Sequence, residues 1–184
     1  MKKFMPWLLL APLFIAHSLQ AQSGIAPAAS IKGDFALQNV HTGKYVRIKD
    51  ANGANGTPIV AYSPVNWKCV TWALHPTAEG GYTLQNLFSG KTLQPLNGHA
   101  SAGVALEEQP LRPSGSREGQ EYELIAAGND PAGHTTQYYI RLKGSELYLT
   151  PADPGGETNS AIVLQVLQKS DLQRWVLIGQ HPTM

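Results

Sequence analysis

The chain has 184 residues, with 14 Lys and Arg against 13 Asp and Glu, six His and one Cys. This near-neutral balance gives no electrostatic footprint for nucleic acid or an anionic membrane as partner. A single cysteine excludes an internal disulfide framework, so stability has to come from packing, and the length suits one domain with its own core.

The first elements are not globular. Lys2 and Lys3 precede an apolar run from Phe4 to Ala16 and a small-residue zone, Ser18-Leu-Gln-Ala21. That order reads as a secretory signal peptide over 1–21, of bacterial appearance, cut after Ala21 or, alternatively, after Ser18. The run is too short to cross a bilayer comfortably, which disfavours an uncleaved anchor and predicts no stable membrane insertion. No Cys lies near the cut, which rules out acylation at a cysteine there. Cleavage would remove two of the 14 basic residues and leave the mature chain nearly neutral, secreted or periplasmic. Residues 22–31, rich in Gly, Ala, Pro and Ser, read as a flexible lead-in to a domain over 32–184.

That domain repeats itself. Phe35 to Val46 falls on Tyr138 to Leu149 without a gap, Ile59-Val60 on Ile162-Val163, and Trp72-Ala-Leu74 on Trp175-Val-Leu177. A third copy lies between them, opening at Tyr82-Thr-Leu-Gln-Asn86 and ending at Tyr122-Glu-Leu124. The copies cover about 33–78, 79–130 and 135–181, and a unit this short cannot bury its apolar face alone.

Within each copy the period is that of strands. Phe35/Leu37, Tyr82/Leu84 and Tyr138/Ile140 alternate as half-buried strands do. Turn-forming groups follow at His41-Thr-Gly43, Phe88-Ser-Gly90 and Lys143-Gly-Ser145, then second strands at Tyr45–Ile48, Thr92–Leu93 and Tyr148–Leu149. Asn-Gly and Gly-Gly pairs supply the positive φ that tight turns need. Third strands are expected at Ile59-Val60, Val104-Ala105 and Ile162-Val163, and fourth strands at Trp72, Tyr122 and Trp175. In this register the middle copy loses two residues before Val104 and gains an exposed polar loop over 112–120, while Gly128–Thr136 is a second loop. Ser170–Gln173 has room for one helical turn and no longer helix is expected. About four short strands in each of three copies exclude a propeller and point to a closed all-β barrel with pseudo-threefold symmetry.

The copy ends are the most specific signal. Gln173-Arg174-Trp175 is a Q-x-W motif, Gln120-Glu121-Tyr122 is a relaxed form, and Val70-Thr71-Trp72 keeps the aromatic alone. Together with the Ser/Thr-Gly-Lys turns, these repeats resemble the ricin-type lectin family over roughly residues 33–178. The resemblance implies a β-trefoil and carbohydrate as partner, with one shallow pocket possible per copy. It also implies that the motif aromatic packs inward, which agrees with the Leu two residues after each one.

In such pockets an Asp just after the second strand begins holds sugar hydroxyls and an aromatic after the third strand stacks on the ring, aided by polar neighbours that often include an Asn beside the motif Gln. The chemistry suits paired hydroxyls and a weakly apolar ring face. Here the Asp position falls on Arg47, Gln94 and Thr150, and the aromatic position on Tyr62, Glu107 and Gln165. The first copy therefore offers Tyr62 as platform with Arg47, Asp50 and Asn66 around it. Arg47 would suit an acidic sugar or another carboxylate. The second copy offers Gln94, Asn97 and Glu107. The alternative for both sets is an ordinary solvated polar loop, with the trefoil serving as a protein-interaction or inhibitor module that docks through 112–120.

Other chemistry finds little support. His41, His75, His99, His134 and His181 form no zinc-type spacing, and no metal or cofactor is expected. No G-x-S-x-G occurs, and Glu107-Glu108 would point to opposite faces of a strand, a poor glycosidase pair. Asn55-Gly56-Thr57 matches a glycosylation sequon but precedes Pro58. Cys69, in an apolar stretch, reads as a buried structural thiol. The chain is thus expected to be a non-catalytic carbohydrate-binding module.

Overall fold

The computed structural model describes residues 30–184; the leader and most of the lead-in lie outside the described residues. Each repeat contributes four strands. The first holds β1 (Gly33–Asn39), β2 (Tyr45–Ile48), β3 (Ile59–Tyr62) and β4 (Trp72–Pro76). The second holds β5 (Tyr82–Asn86), β6 (Thr92–Pro95), β7 (Leu106–Gln109) and β8 (Tyr122–Asn129). The third holds β9 (Thr136–Leu142), β10 (Leu147–Pro151), β11 (Ile162–Val166) and β12 (Arg174–Gly179). The remaining regular elements are single 3-10 turns, among them Asp171–Gln173 where one turn was expected.

The first and fourth strands of the repeats close a ring: β12 pairs β1, β1 pairs β4, β4 pairs β5, β5 pairs β8, β8 pairs β9 and β9 pairs β12, all antiparallel. Closure leaves this barrel no free edge. The second and third strands form three hairpins, β2–β3, β6–β7 and β10–β11, that meet over one end. Three equivalent bridges, Pro58 to Glu107, Ala105 to Val163 and Ala161 to Val60, join each hairpin to the next. This is the pseudo-threefold barrel that the repeats imply and the β-trefoil that the family resemblance implies.

The hairpin contacts also fix the register, and they correct the sequence reading in the middle copy. Glu108 N donates to Thr57 O, Leu164 N to Val104 O and Ala61 N to Ser160 O, at 2.8, 2.9 and 2.8 Å. Ala61, Glu108 and Leu164 are therefore equivalent, and so are Tyr62, Gln109 and Gln165. The third strand of the middle copy is Leu106–Gln109, not Val104-Ala105, and nothing is lost before it: Ile59, Leu106 and Ile162 are all buried at one position. The equivalent of Tyr62 is consequently Gln109 and not Glu107. The segment expected as a loop from Gly128 to Thr136 is a loop over 130–135, with strand β8 running on to Asn129 and β9 starting at Thr136.

One continuous core runs through barrel and cap, and Leu37, Leu84 and Ile140 from the first strands are completely buried in it. Ile31, at the end of the lead-in, packs against it and donates its N–H to the Tyr82 hydroxyl at 3.1 Å. At its centre the three motif aromatics, Trp72, Tyr122 and Trp175, have no exposed surface. Each donates a hydrogen bond to the second strand of its own repeat: Trp72 Nε1 to Val46 O at 3.0 Å, Tyr122 Oη to Leu93 O at 3.2 Å and Trp175 Nε1 to Leu149 O at 3.0 Å. Burial of bulky rings drives the packing, while the polar tip fixes where each hairpin sits. Trp175→Phe, which keeps most of the ring but leaves the Leu149 carbonyl short of a donor, should cost about 1–3 kcal/mol in urea unfolding. An unchanged unfolding midpoint would contradict this role.

Candidate functional site

The second and third strands place one equivalent polar residue in each repeat, Arg47, Gln94 and Thr150, opposite Val60, Glu107 and Val163. All three are buried. In repeats two and three the motif glutamine closes over this position. Gln120 Nε2 donates to Gln94 Oε1 and to Pro110 O, both at 3.0 Å, and Gln120 Oε1 accepts from Arg112 N at 2.9 Å. Gln173 Nε2 donates to Thr150 Oγ1 at 3.2 Å and to Val166 O at 2.9 Å, and Gln173 Oε1 accepts from Gln168 N. These glutamines are fully engaged inside the protein.

Repeat one has Val70 at the motif position, completely buried, so no amide reaches Arg47. The Arg47 side chain is 7% exposed and makes no ion pair or hydrogen bond among the described residues. Its Nε is buried without a partner. The guanidinium instead lies 3.9 Å from the centre of the Tyr62 ring and 5.9 Å from that of Trp67. The two rings are 6.2 Å apart and tilted by 35°. A small second cluster of Ala36, Tyr45, Cys69 and Val70, with Trp67 and Val65 packed on it, supports this arrangement from below. Cys69 is a buried thiol there, as its apolar surroundings imply.

The expected residues are thus brought together in part. Arg47 and Tyr62 are in contact, but the ring face that Arg47 covers is closed to a sugar, so a ligand must use the remaining face of Tyr62 or Trp67. Asp50 is exposed at the end of β2 in a left-handed conformation (φ 55°), as is its equivalent Asn97 (φ 57°), a geometry that short polar side chains tolerate. Asn66 is exposed, and its amide donates to His181 O at 3.4 Å and makes no hydrogen bond to Arg47 or Tyr62. The residue before the motif position is Cys69, so Asn66 does not fill the place of an Asn beside the motif Gln. Two further residues were passed over in the sequence: Trp67, five residues after Tyr62 in an aromatic-rich stretch, and Lys44, beside the second strand. Lys44 Nζ donates to the Ser63 and Thr158 hydroxyls, both at 3.3 Å, and to no carboxylate among the described residues.

In repeat two, Gln94, Asn97 and Glu107 do converge. Glu107 Oε1 accepts from Gln94 Nε2 at 3.2 Å, from the Asn97 backbone N–H at 3.2 Å and from Gln109 Nε2 at 3.1 Å. The third strand there carries Gln109 in place of the aromatic, Gln94 and one Glu107 oxygen are engaged in this network, and Asn97 enters it through its backbone N–H alone. Elsewhere, a cleft of about 330 Å³ lies under the 112–120 loop, lined by Thr77, Glu79, Arg117, Glu121 and Lys143 among others. Its lysine is already paired, to Glu79 at 3.1 Å and Glu121 at 3.0 Å. No cluster of three or more His, Cys, Asp or Glu suited to a metal occurs among the described residues. No helix among them is long and apolar enough to cross a membrane.

Comparison with known proteins follows the same line. Residues 26–108 match the family described as ricin-type beta-trefoil lectin domain-like. No curated protein matches the chain by sequence. Among solved structures, the designed threefold-symmetric protein ThreeFoil is 22% identical with a TM-score of 0.69, over 79% of this chain and 98% of that one. The Rhizoctonia solani agglutinin is 19% identical with a TM-score of 0.69, over 84% and 100%. The Macrolepiota procera ricin B-like lectin, solved in complex with lactose, is 16% identical with a TM-score of 0.65, over 83% and 99%. At these identities the structural likeness establishes the β-trefoil fold.

The hairpin cap carries one more oddity. Glu108 occupies a position that is Ala61 and Leu164 in the other repeats, and it has no exposed surface. Its Oε2 accepts from Ser89 Oγ at 2.8 Å, while Oε1 is buried without a partner. Burial pushes its carboxyl above the ordinary value of 4.5, against the opposing effects of Ser89 and Lys91. A carboxyl raised on folding binds its proton more tightly in the folded state. Stability is therefore fullest below the ordinary value and declines as pH rises through the raised one. Glu108→Gln should flatten that decline and raise the melting temperature at neutral pH by roughly 2–4 °C. A pH–stability profile identical to that of the native protein would contradict it.

Proposed function

On the premise that the chain is a ricin-type lectin-like β-trefoil, we propose that it is a secreted, non-catalytic carbohydrate-binding module whose binding site lies in its first repeat. One observation carries the placement. Repeat one alone combines a buried polar side chain left open by its motif position with two adjacent aromatic rings, Tyr62 and Trp67. A sugar needs both: hydrogen-bonding groups in a fixed direction and an apolar ring surface against its C–H face.

The other repeats serve the fold. Their glutamines satisfy Gln94 and Thr150 internally, and their third strands carry Gln109 and Gln165 where Tyr62 stands. The match to a lectin-type family and the binding of lactose by a structural neighbour support the ligand class. The leader-like residues 1–21 support export.

The test is a glycan array on the chain freed of residues 1–21, followed by titration of each hit against Tyr62→Ala and Trp67→Ala. Binding should fall by roughly tenfold or more in at least one of these variants, the loss expected when a stacking face is removed. A blank array at high protein concentration would overturn the reading, as would hits that both variants bind unchanged. Recovery of a protein ligand through the 112–120 loop, together with a blank array, would replace it with an interaction module.

A further inference from the structure

We propose that the first-repeat site selects glycans bearing a carboxylate, of the uronic or sialic acid type, and that Arg47 is the residue that selects them; this rests on the carbohydrate-binding reading above. The position occupied by Arg47 is one where the family resemblance implies an acceptor, and Arg has none. A guanidinium carries five N–H donors and no lone pair to accept a hydroxyl proton. The charge at the heart of the site is therefore the reverse of what neutral hydroxyls would be held by.

Arg47 is also the one member of its symmetry set with nothing to bind. Gln94 and Thr150, its equivalents, are tied to the motif glutamines of their repeats. Val70 replaces that glutamine in repeat one and offers no acceptor. A 7%-exposed cation is left without a carboxylate or a hydrogen-bond acceptor among the described residues, and its Nε is buried unpartnered. Leaving buried charged donors unmatched is unfavourable, and a ligand that matches them relieves it.

Those donors remain available. The guanidinium carbon lies 3.9 Å from the centre of the Tyr62 ring, and no hydrogen bond takes its N–H groups among the described residues. A planar carboxylate meets the edge of a guanidinium through two parallel hydrogen bonds. Lys44, bonded to the Ser63 and Thr158 hydroxyls next to Tyr62, adds a second positive charge at the rim. Tyr62 and Trp67 then contact the sugar ring while Arg47 holds its acid group.

The experiment titrates the chain freed of residues 1–21, by calorimetry, with a uronic acid oligosaccharide, its methyl ester and the corresponding neutral oligosaccharide. The acid should bind roughly tenfold or more tightly than the ester and the neutral sugar, the gain expected of a charge-assisted bidentate pair. Arg47→Met should abolish that preference, and Arg47→Lys should retain part of it. Because a core-lining change can disturb folding, Val70→Gln provides an independent variant. It keeps Arg47 but installs the amide that closes the other two repeats, and it should weaken acid binding while the protein melts as cooperatively as the native chain. Equal affinity for acid, ester and neutral sugar overturns the carboxylate inference and leaves the lectin reading standing, as does an acid preference that survives in Arg47→Met. Failure of all three ligands to bind, with a blank array, overturns the lectin reading and this inference together.

Discussion

The rest of the molecule depends on a clasp made three times. A completely buried aromatic at the start of each fourth strand points its polar tip at a carbonyl on the second strand of the same repeat: Trp72 to Val46, Tyr122 to Leu93, Trp175 to Leu149. Barrel strands and hairpin cap are also joined by one short ladder per repeat, β1–β2, β5–β6 and β9–β10, and by apolar packing, which sets burial but not angle. With the clasps in place, each hairpin is seated at a fixed height over the barrel. Backbone hydrogen bonds between hairpins, such as Glu108 N to Thr57 O, can then close the cap symmetrically. That the clasp survives the exchange of Trp for Tyr at Tyr122 indicates what is required: bulk, and one donor at its end.

A scaffold held this way tolerates asymmetry at its surface. The buried polar position on the second strand is closed by a glutamine in two repeats and left open in the first, where the glutamine has become Val70. The consequence is local. Repeat one exchanges an internal hydrogen-bond network for a cation stacked on Tyr62, and it gains a second ring, Trp67, from the segment before the clasp. The same freedom explains Glu108: one repeat carries a carboxyl where the others carry Ala61 and Leu164, and the fold absorbs its desolvation through Ser89. Neither change touches the three aromatics on which the architecture rests.

The architecture was legible in the sequence because it is written in residues that recur. Leu37, Leu84 and Ile140, or Trp72, Tyr122 and Trp175, can be found by period and composition alone. The middle hairpin was misread for a physical reason. Its third strand, Leu106-Glu-Glu-Gln109, is polar, while the more apolar Val104-Ala105 lies just before it and drew the register two residues upstream. Hydrophobic pattern is a poor guide where a strand buries charged side chains, and this one buries both Glu107 and Glu108. The site was legible only in part. Arg47 and Tyr62 stand out as departures from their repeat partners, and the structure puts them in contact. That Arg47 covers one face of Tyr62, and that Trp67 joins them while Asp50 and Asn66 do not, depends on side-chain directions that spacing does not encode.

The central claim is that a threefold fold carries a single working site. It is tested most directly by following the backbone and indole NMR signals of the chain freed of residues 1–21 as a bound glycan is titrated in. The account predicts one ligand per chain, with the shift changes centred on Arg47, Tyr62 and Trp67 and the clasp indoles of Trp72 and Trp175 nearly unmoved. Shifts of equal size around Gln94 and Thr150, or a stoichiometry of three, would contradict it.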